Sequence, residues 1–283
     1  MPIHFLFKQS RALICRATHV AMALGIAALC VNAAAQSSSV RELPPVTITA
    51  TANPDPVEKS YRRMIRGMDL FEKQRAMAPT APLRFKLLPR RRDTNMNNIE
   101  LEVIGTTVDF FIPVAPDQTF ELPRNPKAFD ENAQVTPNRK SQSMTWRTEI
   151  RTPGLALNTR RLGDLRLECY VGMEAGLVSN SQSIVGKLVQ VVSYTPAYCD
   201  QKAPLYLFFA DRPLFSVTMV SGQRREVLAI DKLYAGASDD PKLAGDLPYC
   251  DCEVLVDRTY VLPLGDRSWP DDTLIEFEYM EGE

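Results

Sequence analysis

The sequence predicts a mainly β protein, an antiparallel β-sandwich of one or two sandwiches preceded by one amphipathic helix. Three observations lead there. From residue 83 onward apolar residues recur at every second position in short runs, the period of strands with one buried face. The chain carries 21 prolines, and those scattered between the runs suit many short strands better than the long helices of an α/β enzyme. A spacing of three and four residues is sustained in one stretch only, residues 56–78.

Ahead of that stretch, residues 1–35 divide into a basic start with Lys8, Arg11 and Arg16, an apolar run over 20–31, and Ala33, Ala34 and Ala35 before Gln36. That order is the pattern of a secretory signal peptide cleaved near Ala35. As a helix the apolar run would rise about 18 Å, well short of the roughly 30 Å hydrocarbon core, which argues against a membrane anchor. Lipidation at Cys30 is disfavoured by Leu29, because lipoprotein processing wants a small residue there. Cleavage removes three of the 33 basic residues and none of the 34 acidic ones. The expected mature chain is therefore weakly acidic, which argues against a nucleic-acid partner. It also has no transmembrane span, since no later stretch approaches 18 apolar residues.

Residues 36–55 read as a flexible linker, because proline and small polar residues bury too little surface to offset ordering. Within it Pro45, Val46, Thr47, Ile48, Thr49 and Ala50 form a run that resembles the short box near the mature N-terminus of TonB-dependent outer-membrane receptors. The likeness covers six to eight residues, and no receptor function is carried over with it. The helix follows over 56–78, with Asp55 as cap, Pro56 in the first helical position and Glu58 three residues after the cap. Val57, Tyr61, Met64, Ile65, Met68 and Phe71 line one face and charged residues the other, as expected for a helix laid on a β core or engaged in self-association. Gly67 interrupts it at a cost of about 1 kcal/mol relative to alanine and suggests a close packing contact.

Residues 79–283 form the β-rich region, with a possible division into two sandwiches between 172 and 204. Alternation places strands at 83–88, 99–104, 144–150 and 165–171, the last carried by Leu165, Leu167, Cys169 and Val171. Residues 108–114 and 119–122 read as a hairpin turned by Pro116 and Asp117. Short strands are expected at 205–210, 214–220, 226–230, 253–256 and 259–262, with Gly222 in a turn between two of them. Ile275, Phe277 and Tyr279 form one face of the last strand. The pattern over 108–122 resembles carboxypeptidase regulatory-like and other Ig-like modules, which implies an Ig-like or regulatory-like sandwich.

Both histidines, His4 and His19, fall in the segment expected to be cleaved. A mature chain without imidazole excludes Ser-His-Asp and Cys-His catalysis and histidine-ligated metal sites. Four cysteines remain as disulfide candidates, Cys169, Cys199, Cys250 and Cys252. In an oxidising compartment they read as structural staples, with Cys250 and Cys252 each reaching back to Cys169 or Cys199. A four-thiolate zinc site would normally show two closely spaced pairs, and Cys169 and Cys199 do not form one. Redox use of Cys250 and Cys252 is opposed by the acidic neighbours Asp251 and Glu253.

Carboxylate chemistry needs no histidine. Glu276, Glu278 and Glu281 resemble the E-x-D-x-x-E signature of jelly-roll endoglucanases, with glutamate in place of the central aspartate. The resemblance implies Glu276 as nucleophile and Glu281 as acid/base. The pairs Asp239-Asp240 and Asp271-Asp272 lack the regular spacing of a calcium loop. Arg90, Arg91 and Arg92, with Arg84 and Lys86 before them, make a local basic patch for anionic envelope polymers or a solvated loop. The reading taken together is an exported periplasmic or cell-envelope protein, non-enzymatic and without cofactor, acting on an envelope protein or polymer. The alternative is a histidine-free carboxylate hydrolase of envelope or extracellular glycans, and a third reading has the helix mediate self-association.

Overall fold

A computed structural model describes residues 58–90, 92–140, 143–177, 195–202, 204, 206–235 and 254–281. The fold is mainly β, with four antiparallel sheets and three α-helices among the described residues. Strand β1 (Lys59–Ser60) leads into helix α1 (Tyr61–Lys73). Three strands follow, β2 (Leu83–Pro89), β3 (Leu101–Ile104) and β4 (Asp109–Ile112). After β5 (Thr119–Phe120) comes the short helix α2 (Pro126–Asp130), then β6 (Gln134–Pro137), β7 (Met144–Ile150) and β8 (Thr159–Arg161). Helix α3 (Leu162–Ala175) starts directly from β8. The remaining strands are β9 (Phe208–Phe209), β10 (Leu214–Ser221), β11 (Arg224–Val227), β12 (Thr259–Tyr260) and β13 (Leu274–Tyr279).

The strands are ordered β1-β6-β3-β4, β5-β2-β7, β11-β10-β13-β8 and β12-β9. Side chains of the first two sheets meet in one core around Leu87, Leu101, Val103, Val135 and Trp146, which Met64 and Ile65 of α1 close. The third and fourth sheets share another around Val217, Met219, Tyr260, Trp269 and Ile275. A small cluster of Phe71, Ile150, Leu167 and Val171 lies on α1, β7 and α3. No helix among the described residues is long and apolar enough to cross a membrane.

Helix α1 starts later than the Asp55 cap implies. Lys59 and Ser60 pair with β6, so their backbone belongs to a sheet, and Ser60 caps the helix by accepting a hydrogen bond from the Arg63 N–H. The helix ends at Lys73, followed by a 3₁₀ turn over Arg75–Met77. Of its apolar stripe, Tyr61, Met64, Ile65 and Phe71 are buried and Met68 is partly so. Gly67 is the close contact its place in the sequence suggests: a Cβ there would sit 2.9 Å from the Ala175 Cβ of α3.

Three strand expectations are corrected. Residues 165–171 belong to α3, a helix in which every residue from 162 to 173 is buried. Its charged residues are buried along with its apolar ones, so the alternation imitates a half-solvated strand. The expected hairpin over 108–122 is a crossing between sheets, for β4 pairs with β3 and β5 with β2. The turn is real, with Ala115 N–H bonded to Thr119 O at 2.8 Å, but it redirects the chain. Residues 254–258 form a turn ending in a 3₁₀ segment, Val256–Arg258, in place of a strand.

Cys169 and Cys199 are bonded to each other, Cα to Cα 6.0 Å apart. This overturns the pairing in which Cys250 and Cys252 each reach back to one of them. Cys250 and Cys252 lie outside the described residues, as do the expected signal peptide and linker, Arg91, Asp239 and Asp240.

Candidate functional site

The alternation in α3 puts three charged residues, Asp164, Arg166 and Glu168, on a helix with no solvent face. Burying a charge is tolerated only when it is paired and hydrogen-bonded, and all three are. Asp164 accepts from the Thr152 N–H at 2.7 Å and the Thr152 hydroxyl at 2.8 Å. Arg166 donates to the carbonyls of Leu264, Asp266 and Trp269 at 2.8–2.9 Å and to the Asp271 carboxylate at 2.6 Å. Asp271, half of an acidic pair considered for calcium, thus holds a guanidinium. Glu168 accepts from the Ile150 N–H at 2.7 Å and from Arg160 Nη2 at 2.5 Å.

Arg160 and Glu168 lie at the inner end of a cleft of about 300 Å³. Its walls come from β2 and β7 on one side and from the 206–211 stretch, the 254–258 turn and β12 on the other. Aromatic rings line it. Tyr206 and Phe208 lie 4.9 Å apart, Phe208 and Tyr260 stack at 5.4 Å, and Arg147 covers Phe209 with its guanidinium 4.8 Å from the ring centre. The cations are Lys86, Arg147, Arg160 and Arg258, and the acids Glu149, Glu168 and Asp211.

Each of those acids is bonded to a guanidinium. Glu168 has Arg160. Glu149 pairs with Arg151, which also grips Asp211 with two parallel bonds of 2.8 Å. Lys86 adds a contact to Asp211 at 3.4 Å. Burial raises the Glu168 carboxyl to about 7, against the opposing pull of Arg160. Burial also works against the Arg160 charge, but Glu168 and Glu149 outweigh it and its pKa is raised. Asp211 is desolvated as well, yet the Arg151 bonds win and its pKa is lowered. Burial lifts Tyr206 to about 12 and raises Tyr260 further, so both phenols are neutral donors at physiological pH.

Cationic hydrogen-bonding capacity is left over. Arg258 Nη1 donates to the Asp211 backbone carbonyl at 3.0 Å, while its Nε is buried without a protein acceptor, and so is the Nε of Arg160. Charge in the cleft is thus unevenly paired among its described residues. Its acids are committed and its guanidiniums are not fully spent.

The carboxylates singled out in the sequence stand elsewhere. Glu276 and Glu278 alternate with buried Ile275 and Phe277 on β13 and project from the opposite face. Glu276 takes a 2.8 Å bond from Arg225, and Glu278 a 2.9 Å bond from the Ser216 hydroxyl. With Glu281 they line an open groove of about 500 Å³. In the basic patch, Lys86 turns into the cleft and Arg92 is exposed.

Among the described residues no three His, Cys, Asp or Glu side chains are grouped to hold a metal ion. The sequence signal that would have found the buried charges of α3, though not the cleft, is Asp164-Leu165-Arg166-Leu167-Glu168, charges at every second position in a segment otherwise apolar enough for a core. Compared with known protein families, curated proteins and solved structures, the chain matches none.

Proposed function

We propose that this chain is an exported β-sandwich protein of the bacterial periplasm or cell envelope that works by binding, with part of an envelope protein or polymer entering the cleft beside Arg160 and Arg258. The observation that carries this reading is the state of the cleft's charges. Every carboxylate among its described lining residues is bonded to a guanidinium, whereas the Nε atoms of Arg160 and Arg258 are buried without protein acceptors. Acid/base catalysis wants a carboxyl within reach of a reacting group, and recognition wants donors not yet used. The shared core of the first two sheets supports the sandwich, and the pattern of residues 1–35 supports export.

The test is a photo-crosslinking residue at Phe209, in the cleft wall, with a control at Phe111, which is exposed elsewhere. In intact cells, the Phe209 probe should give a discrete adduct in the envelope fraction of a protein whose N-terminus begins after Ala35. No adduct, or a protein retained uncleaved in the cytoplasm, overturns the reading.

A second reading, a histidine-free glycan hydrolase, is favoured by the three carboxylates lining the β13 groove. Release of reducing ends from a polysaccharide panel, abolished by Glu276→Gln, would establish it.

A further inference from the structure

We propose that the cleft recognises an organic anion, a carboxylate or phosphate carried on a flat apolar body, and that Arg258 is the residue that selects it. This rests on the reading of the cleft as the binding site. Among its lining residues positive charge exceeds negative by one, four cations against Glu149, Glu168 and Asp211. The imbalance grows to five cations against three acids when Arg151 is counted, which does not line the cleft but pairs with both Glu149 and Asp211. Arg258 forms its 3.0 Å bond to a backbone carbonyl, a neutral acceptor that leaves its charge uncompensated, and its Nε is buried without a protein partner. A guanidinium so placed has the planar fork that matches carboxylate and phosphate oxygens, and losing water there strengthens the attraction.

The body of the ligand follows from the walls. Phe208 stacks on Tyr260 and Tyr206 is tilted against Phe208, all three nearly buried, so the lining is aromatic and close-packed, and the acids among its described residues are paired. A volume of about 300 Å³ lies at the small end of ligand cavities. It suits one aromatic or similarly flat group with its anionic substituent, presented free or as a side group of a larger molecule. A cationic ligand would have to displace an existing guanidinium from a carboxylate, and a neutral one would leave Arg258 unanswered.

The probes are benzoate, phenyl phosphate, benzyl alcohol and benzylamine at matched millimolar concentration, followed by calorimetry and thermal shift on the mature protein. One or both anions should bind and raise the melting temperature, and the arm that binds tells carboxylate from phosphate. Arg258→Ala should weaken that binding by about tenfold or more. Arg258→Lys, which keeps the charge and loses the fork, should fall between. The unliganded melting temperature of each variant shows whether it is folded, and an unfolded Ala variant leaves the Lys variant to decide. Equal binding of benzyl alcohol, tighter binding of benzylamine, no binding by either anion, or anion binding indifferent to both substitutions overturns the proposal. Failure of the cleft as a binding site would look different, for then the Phe209 crosslinker captures nothing in cells whatever the small probes do.

Discussion

Glu168 and Arg160 illustrate how a buried ion pair behaves at the scale of single residues. Each is nearly inaccessible, and each loses hydration that the partner only partly restores. Removing one partner strands the other, so Arg160→Ala should destabilise the fold by about 3–5 kcal/mol. The double substitution Arg160→Met with Glu168→Leu should cost much less, and urea titrations of the single and double variants check this. The pair also makes a signed prediction about pH. The carboxyl is raised from 4.5 to about 7 in the folded state, so between those values the folded protein binds the proton more tightly than the unfolded chain. The resulting stabilisation is complete below the unfolded value and is lost as pH rises through 7. Asp211 is lowered and contributes in the opposite sense, present above its unfolded value and lost as pH falls. The difference between wild type and Glu168→Gln isolates the first effect. Relative to the variant, wild type should lose up to about 3 kcal/mol between pH 5 and 8, and parallel stability curves would contradict it.

Among the elements, legibility in sequence followed solvent exposure. Strands β2, β7, β10 and β13 were visible because each has a buried row alternating with a more exposed one, as in Val217, Met219, Ile275 and Phe277 of β10 and β13. Helix α3 was hidden because solvent touches no face of it from 162 to 173, and Asp164, Arg166 and Glu168 find partners that no local pattern announces. Those partners come from 100 residues away as easily as from eight: Leu264, Asp266, Trp269 and Asp271 for Arg166, and Arg160 for Glu168. The cleft was illegible for the same reason, since Arg258 and Arg160, far apart in the chain, come to line it only in the fold. The α1–α3 contact gives a test at this scale. Alanine at 67 gains about 1 kcal/mol of helix propensity, but its Cβ would press on Ala175 and Val171 at 2.9–3.3 Å. Overpacking should win, leaving Gly67→Ala destabilised by about 1–2 kcal/mol net, and a rise in melting temperature would show that the helices can separate at little cost. The Cys169–Cys199 bond spans 30 residues of chain and ties α3 to the turn Pro196–Asp200. Losing it in the Cys169→Ala, Cys199→Ala double variant should lower stability by about 3–4 kcal/mol, measured as the denaturant midpoint against wild type under non-reducing conditions.

For the molecule as a whole, α3 decides whether the two large cores behave as one. Leu162, Leu165, Cys169, Tyr170 and Met173 belong to the core of the third and fourth sheets, Ala175 to that of the first two, and Leu167 and Val171 to the small cluster beside α1. Loss of α3 therefore removes side chains from every core, while Arg166 latches it to the loop carrying Trp269. Unfolding of either half should expose α3 and bring down the other, giving one cooperative transition. The chain carries its own reporters, because its two tryptophans are divided between the cores, Trp146 in one and Trp269 in the other. In Trp146→Phe and Trp269→Phe the remaining indole reports one core alone. Within each variant, fluorescence and far-UV circular dichroism should trace the same urea curve with the same midpoint. If the Trp269 signal is lost at lower urea than the helical and strand signal in the Trp146→Phe protein, the cores unfold separately. Arg166→Met then discriminates further. A latch that joins the halves lowers the midpoint reported by both indoles, measured in the two single-tryptophan backgrounds, whereas a local anchor for 264–271 lowers only the one reported by Trp269.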